Sequence, residues 1–208
     1  MTGGDRKKLF CEKNRNMLLD DDQVLIQQIL EGDKSSFEEL MKKYNRKMFN
    51  FILRMVREEE IAIELTQDFF IKIFTVLHKY NFQYKFSTWA YRICYNLVID
   101  YVRKHQIFVD SLDNDAISPK QLVDSKNYVA EDGFDKLERE ETREYIWKVV
   151  EVMPFKYKEL ILMRYMQGLK YDEIAQIASL PVGTVKNRIF KAKELLRKEI
   201  DKDGMFES

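Results

Sequence analysis

Thr184, Lys186, Asn187, Arg188 and Lys191 fall within eight residues of one another, near the end of a 208-residue chain. Their chemistry is that of reading a nucleic-acid groove. Arginine makes paired hydrogen bonds to guanine and asparagine to adenine, a threonine methyl meets the thymine methyl, and lysine meets phosphate. A second set lies far upstream. Tyr80, Phe82, Tyr84, Phe86, Trp89, Tyr91, Tyr95 and Tyr101 interleave with Lys79, Lys85, Arg92, Arg103 and Lys104. Rings that stack on unpaired bases beside cations that follow phosphates are what single-stranded DNA requires. Aromatics at helical spacing also build cores. The spacing sends Phe86, Trp89 and Ile93 inward and leaves Thr88, Arg92, Asn96 and Arg103 as a polar face. Glu64, Gln67, Asp68, Ile71 and Lys72 form a third set, at i, i+3, i+4, i+7 and i+8 of one helix. On spacing alone that set is a solvated face.

What is missing narrows the chemistry. Cys11, Cys94, His78 and His105 are the only cysteines and histidines, and none stands at metal-ligand spacing. With no clustered carboxylates and no phosphate loop, the sequence points to no catalytic residues, no metal and no cofactor. Both thiols read as ordinary side chains. Thirty-five basic residues balance thirty-five acidic ones, so average charge does not indicate nucleic acid, but distribution does: Thr184–Lys198 carries net plus five. The longest apolar runs, such as Phe69–Leu77, are broken by charge, so no membrane insertion is expected. The start of the chain has neither a secretory h-region nor the glycine at position 2 that myristoylation needs. The expected location is the cytoplasm.

The elements that must carry these residues are helices. From Asp21 to about His105 the chain reads as one helix after another. Ser35 and Glu38 have capping-box spacing. Phe37, Leu40, Met41, Tyr44, Met48, Phe51, Ile52 and Met55 then recur at steps of three and four. Glu58–Glu60 open another helix, whose Ala62, Leu65, Phe69, Ile73 and Leu77 share a face. Periodicity fades over Gln106–Glu141, where ten acids and four bases leave net minus six. That composition predicts a flexible linker, with the flanking domains moving independently. Ile146, Val149, Val150 and Met153 make a further helical face, ended by Pro154, and Tyr157–Tyr165 another, stopped near Gly168. Asp172–Ala178 and Val182–Lys198 flank only Ser179, Leu180 and Pro181. Two helices on so tight a turn, with Ala175 small at their crossing, are a helix-turn-helix. Val185, Ile189, Ala192 and Leu196 point inward on its second helix. Ser179 stands where a glycine is common, at a position that tolerates serine with strain if φ is positive.

The segment MPFKYKELILMRYMQGLKYDEIAQIASLPVGTVKNRIFKAKELLRK resembles the region-4 domain of extracytoplasmic-function (ECF) sigma factors. ELTQDFFIKIF, YKFSTWAYRICYNLVIDYVRK and GDKSSFEELMKKY resemble region 2 of the same family. Where that family usually shows Asp-Leu-Thr-Gln-Glu, this chain has both acids exchanged, Glu64 and Asp68. The resemblance implies an all-α protein of two small helical domains joined by an acidic flexible linker. It places an N-terminal arm at 1–20, region 2 at 21–105, the linker at 106–137, region 4 at 138–200 and a tail at 201–208.

It further implies a sigma factor that binds core RNA polymerase through Glu64, Gln67, Asp68, Ile71 and Lys72. Phe82, Tyr84, Lys85, Thr88, Arg92, Asn96 and Arg103 would hold the melted −10 element, in a pocket near Asn81–Lys85. Thr184, Lys186, Asn187, Arg188 and Lys191 would read the −35 element. Partners would be core polymerase and promoter DNA, both duplex and melted, and the family allows an anti-sigma factor. In the family the linker threads into the polymerase. Two other readings compete: a two-domain activator that binds duplex only, and an enzyme acting on nucleic acid.

Overall fold

The computed structural model of the chain describes residues 19–105 and 140–202. The described elements are helical throughout, as the sequence implies. The N-terminal arm up to residue 18 and the acidic linker lie outside the described residues.

In the first half, α1 (Asp21–Leu30), α2 (Lys34–Val56) and α3 (Glu59–Val76) are followed by a short 3-10 turn and α4 (Phe86–Lys104). Asp20 caps α1, accepting from the Gln23 amide at 2.9 Å while the Gln23 side chain accepts from the Asp20 amide. The cap of α2 is not Ser35, as the capping-box spacing predicts, but Asp33. Its carboxylate takes the Ser35 amide at 2.9 Å and the Ser35 and Ser36 hydroxyls at 2.7 and 2.8 Å. A charged acceptor two residues upstream outcompetes the hydroxyl, so the helix begins one residue before Ser35. The periodic face of α2 is buried at Leu40, Tyr44, Met48, Phe51, Ile52 and Met55. That of α3 is buried at Ala62, Leu65, Phe69 and Ile73, with Leu77 just beyond it. α2 packs on α1, α3 and α4. Along α4 the inward residues are Phe86, Ala90, Tyr91, Cys94, Val98 and Val102. Trp89 and Ile93, assigned inward from spacing, lie half-buried at its margin.

The second half contains α5 (Glu140–Val152), α6 (Phe155–Ile161), α7 (Tyr171–Ala178) and α8 (Val182–Lys202). The helix predicted over Tyr157–Tyr165 starts earlier and changes pitch: Leu162–Met166 form a π-helical turn. The wider turn lets the Gln167 and Leu169 amides reach the Leu162 and Met163 carbonyls at 3.2 and 3.1 Å. Gly168 then reverses the chain at φ 66°. Arg164 closes that turn, donating to the Leu169 carbonyl at 2.8 Å. α8 packs across α5, α6 and α7.

The two halves touch in this structure. One apolar cluster runs from Leu25 through Val98 to Ala192. Across the seam, Arg54 Nη1 of α2 lies 2.9 Å from Glu151 Oε1 of α5, both buried, with the Arg54 guanidinium 4.1 Å above the Trp147 ring. Linker composition implies freedom for the bodies it joins but does not say which of their surfaces meet, so the seam was not legible there.

Candidate nucleic-acid interface

α8 owes its shape to its own sequence. Val185, Ile189 and Ala192 are buried and Leu196 is half-buried, so the opposite face is left to solvent. Its approach is set by Ser179, which adopts φ 55°, ψ 42° and donates its amide to the Ala175 carbonyl. The positive φ is the strain anticipated for serine at that position. Lys186, Asn187 and Lys191 are exposed and Thr184 half-exposed, as a groove-reading face needs. Arg188 departs from the expectation. Its side chain is 31% exposed and turned toward α6, with Nη1 3.8 Å from Glu159 Oε1. Phe190, missed from sequence, is exposed on the same helix.

The aromatic-basic segment is shaped by a distant residue. Gln23 of α1 is buried, and its amide nitrogen donates to the Tyr80 hydroxyl at 3.2 Å and to the Phe82 and Tyr84 carbonyls at 2.8 and 3.3 Å. Tyr80 also donates to the Tyr84 carbonyl. Asn81 accepts from the Gln83 amide at 2.9 Å, tightening the bend. This pinning leaves a cleft of about 380 Å³ lined by Lys79, Asn81, Tyr84, Thr88, Trp89, Arg92 and Gln176. Of the residues expected at a melted strand, Tyr84, Thr88 and Arg92 are brought together there. Lys85 does not line it and instead lies 3.5 Å from Glu173. Phe82 packs instead on Tyr80, ring centroids 5.0 Å apart. Asn96 and Arg103 are exposed farther along α4, continuing the Thr88–Arg92 face beyond the cleft. Lys79, Asn81, Trp89 and Gln176 complete the lining. The hold of Gln23 on this bend gave no local signal, because the partners it reaches there are 57 or more residues away.

Glu64, Gln67, Asp68, Ile71 and Lys72 are all exposed on α3. The same face carries Ile71 at 65% and Phe74 at 62% exposure, with Ile63 one turn before Gln67. Phe74 meets Phe37 edge-on, centroids 5.0 Å apart. This face therefore leaves three large apolar side chains, Ile63, Ile71 and Phe74, in water amid charges. Counting Ile63 and Phe74 at steps of four, four and three from Gln67 and Ile71 would have found them.

The seam between halves runs beside the cleft. Glu173 of α7 lies 3.5 Å from Lys85 Nζ and accepts from the Thr88 hydroxyl at 3.2 Å. Tyr91 donates to the Gln167 side chain, and Tyr95 to Glu159 Oε2 at 2.8 Å. Burial pushes the Glu159 carboxyl up to about 7, against the pull of Tyr95, Arg188 and Arg103. Burial also opposes charge on Glu173, but the Lys170 amide, Lys85 and Thr88 outweigh it and hold that carboxyl low. On the other flank of α4, Lys42, Lys43, Arg46 and Lys47 line a basic cleft of about 410 Å³ with Ser87, Tyr91 and Gln167. Among the described residues no group of three His, Cys, Asp or Glu is placed to hold a metal, and no helix is long and apolar enough to cross a membrane.

Comparison with known proteins agrees with this layout. Residues 40–107 match the family described as sigma-70 region 2, and residues 143–196 match sigma-70, region 4. The ECF RNA polymerase sigma factor SigW of Bacillus subtilis is 30% identical over 179 residues, covering 84% of this chain and 94% of that one. The ECF RNA polymerase sigma-E factor of Escherichia coli K12 is 30% identical over 188 residues, covering 86% and 94%. The fold is similar to CnrH, solved in complex with the cytosolic domain of CnrY (19% identity, 88% of this chain and 99% of that one, TM-score 0.63). It is also similar to RpoE from Bartonella quintana, solved with the anti-sigma factor NepR (16% identity, 79% and 96%, TM-score 0.58).

Proposed function

The chain belongs to the ECF family of RNA polymerase sigma factors, and from that premise we infer how its surfaces divide the work of starting transcription. The protein acts in the cytoplasm as a promoter-specificity subunit and not as an enzyme. Its α3 face, Glu64, Gln67, Asp68, Ile71 and Lys72 with Ile63 and Phe74 added, docks on core polymerase. The cleft of Tyr84, Thr88 and Arg92, with Lys85, Asn96 and Arg103 along its path, holds the melted −10 strand: rings stack on bases and cations take phosphates. Phe82 serves there as support for Tyr80 and not as a stacking ring. Thr184, Lys186, Asn187, Arg188 and Lys191 read the −35 duplex, Arg188 after release from Glu159. The observation that carries this reading is the coexistence, in one chain, of an aromatic-cation cleft and a solvent-facing recognition helix. A duplex-only activator has no use for the cleft.

An anti-sigma factor is a partner by the same reasoning, since a relative of this fold is held by one. Transcription from a promoter library by purified core polymerase, with and without the chain, tests the function. Selective initiation that requires the chain is expected, and none would end the proposal. Within that assay, replacing Gln67 and Asp68 together by alanine should abolish co-purification with core while shifting stability by no more than ~0.5 kcal/mol per site. Undiminished core binding would move the docking surface elsewhere.

A further inference from the structure

α7 lies across α4 in a way that reading DNA does not require. Glu173 places a carboxylate oxygen 3.5 Å from the Lys85 ammonium and within hydrogen-bond reach, 3.2 Å, of the Thr88 hydroxyl. Negative oxygen between an ammonium and a hydroxyl is what a backbone phosphate would present to the same pair. One turn on, Gln176 supplies the outer wall of the cleft formed by Tyr84, Thr88, Trp89 and Arg92. Farther along the seam Glu159 accepts from Tyr95 of α4 and lies 3.8 Å from Arg188 of α8. One carboxylate therefore engages both halves and draws a candidate base-reading arginine away from solvent.

We propose that this seam is an autoinhibitory contact: in the free chain α7 occupies the strand-binding face of α4, with Glu173 in the place of a DNA phosphate. Melted promoter strand and the second half then compete for Lys85, Thr88 and the cleft. This rests on the strand-binding role proposed for α4.

The seam is graded in a way that suits a latch. At one end Arg54 and Glu151 are buried at 2.9 Å under Trp147, where losing one partner would strand the other. At the cleft end the Lys85 side chain is 63% exposed. Such a pair is weak and screened by salt, so a polyanion displaces it without dismantling the buried end. Contacts between domains of one chain resemble transient protein interfaces. A strand that binds only the uncovered face shifts the population toward the open form by its differential affinity.

The full-length chain carrying Glu173→Gln and Gln176→Ala tests this. Glutamine keeps an oxygen for the Lys170 amide, which Glu173 now accepts at 2.8 Å, so the start of α7 is preserved. Dyes at Glu39→Cys and Lys198→Cys, in a Cys11→Ser background, report the separation of the halves by energy transfer. A labelled single-stranded oligonucleotide reports strand affinity. The double variant should lower transfer efficiency and tighten oligonucleotide binding about fivefold, the scale of one or two weak contacts. Adding Lys85→Ala should remove the gain.

Unchanged transfer efficiency, with Lys85-dependent oligonucleotide binding intact, overturns the latch and leaves the strand-binding role standing. Lower transfer without tighter binding overturns the masking. If, in addition, Lys85→Ala holoenzyme melts promoters normally, the strand-binding role has itself failed.

Discussion

The proposed recognition helix and the proposed strand cleft both expose cations and hydrogen-bonding groups, yet they are built in opposite ways. α8 is 21 residues of continuous helix whose periodicity alone separates buried Val185, Ile189 and Ala192 from exposed Lys186, Asn187 and Lys191. The cleft rests on a bend between Lys79 and Phe86 that has no repeating hydrogen bonds of its own. One buried glutamine from α1 holds it. Chemistry carried on a helix survives changes elsewhere in the molecule. Chemistry carried on a pinned loop depends on a residue outside the cleft itself.

The group that joins these two regions should give the largest effect. Glu159 bonds Tyr95 beside the cleft and lies near Arg188 on the recognition helix. Its folded pKa, about 7, stands above the ordinary 4.5. The folded chain therefore keeps a proton that the unfolded chain loses first. Stability from this group is fully present below pH 4.5 and is lost as pH rises to about 7, on the order of 3 kcal/mol in all. Glu159→Gln removes the titration. Urea unfolding from pH 5 to 8 should show the variant gaining on the wild type as pH rises. Parallel curves would mean that the carboxyl stays charged throughout.

Gln23→Ala sharpens the contrast more directly. It leaves the Phe82 carbonyl without its donor and takes one partner from the Tyr80 hydroxyl and the Tyr84 carbonyl, at a cost of about 2 kcal/mol. Oligonucleotide binding should fall well beyond what the unfolded fraction explains, while −35 duplex binding should be untouched. Equal losses at both surfaces would show that the loop holds its shape without the pin. In the recognition helix the corresponding change is local. Asn187→Ala should cost ~1–3 kcal/mol against one base position, and Lys191→Ala should weaken all sequences alike and reduce the salt dependence. Titration against single-base variants separates the two.

How much of this was legible follows the same division. Helical faces on α2, α3, α5 and α8 could be read because each side chain's environment is set by residues three and four away. The helix-turn-helix was readable down to the strain at Ser179. The cap at Asp33 was missed because two acceptors competed within three residues, and spacing does not rank them. Trp89 was placed inward, yet it lines the cleft, because periodicity fixes direction about the helix but not the depth of its cover. The hold of Gln23 on the bend, the Glu159 contacts and the whole seam were invisible, since the partners involved lie far along the chain, up to 97 residues away. Arg188 was assigned outward for the same reason: the sequence says which face it leaves, not that a buried carboxylate waits on α6.

The smallest effect compares one backbone device used in each half. Arg57 after α2 and Ser179 after α7 are the described non-glycine residues with positive φ, 66° and 55°. Each donates its amide back into the helix it ends, to Leu53 and Ala175 respectively. Left-handed backbone costs an L-residue ~1–2 kcal/mol, and glycine is relieved of it at some expense in unfolded-state entropy. Ser179 is exposed, so Ser179→Gly loses no packing and should stabilise the chain by about 0.5–1 kcal/mol. Arg57 differs because its side chain is used. Burial lowers its pKa against the attraction of Glu151, and burial first, then the Arg57 charge, lowers that of Lys158. Arg57→Gly gains the same backbone relief but withdraws a cation and its stem from the seam around Glu151. It should therefore destabilise. Thermal unfolding of the two variants side by side is the check, with Tm rising for Ser179→Gly and falling for Arg57→Gly. A rise in both would show that the charged cluster at the seam contributes less to holding the halves together than the strain of a single backbone angle.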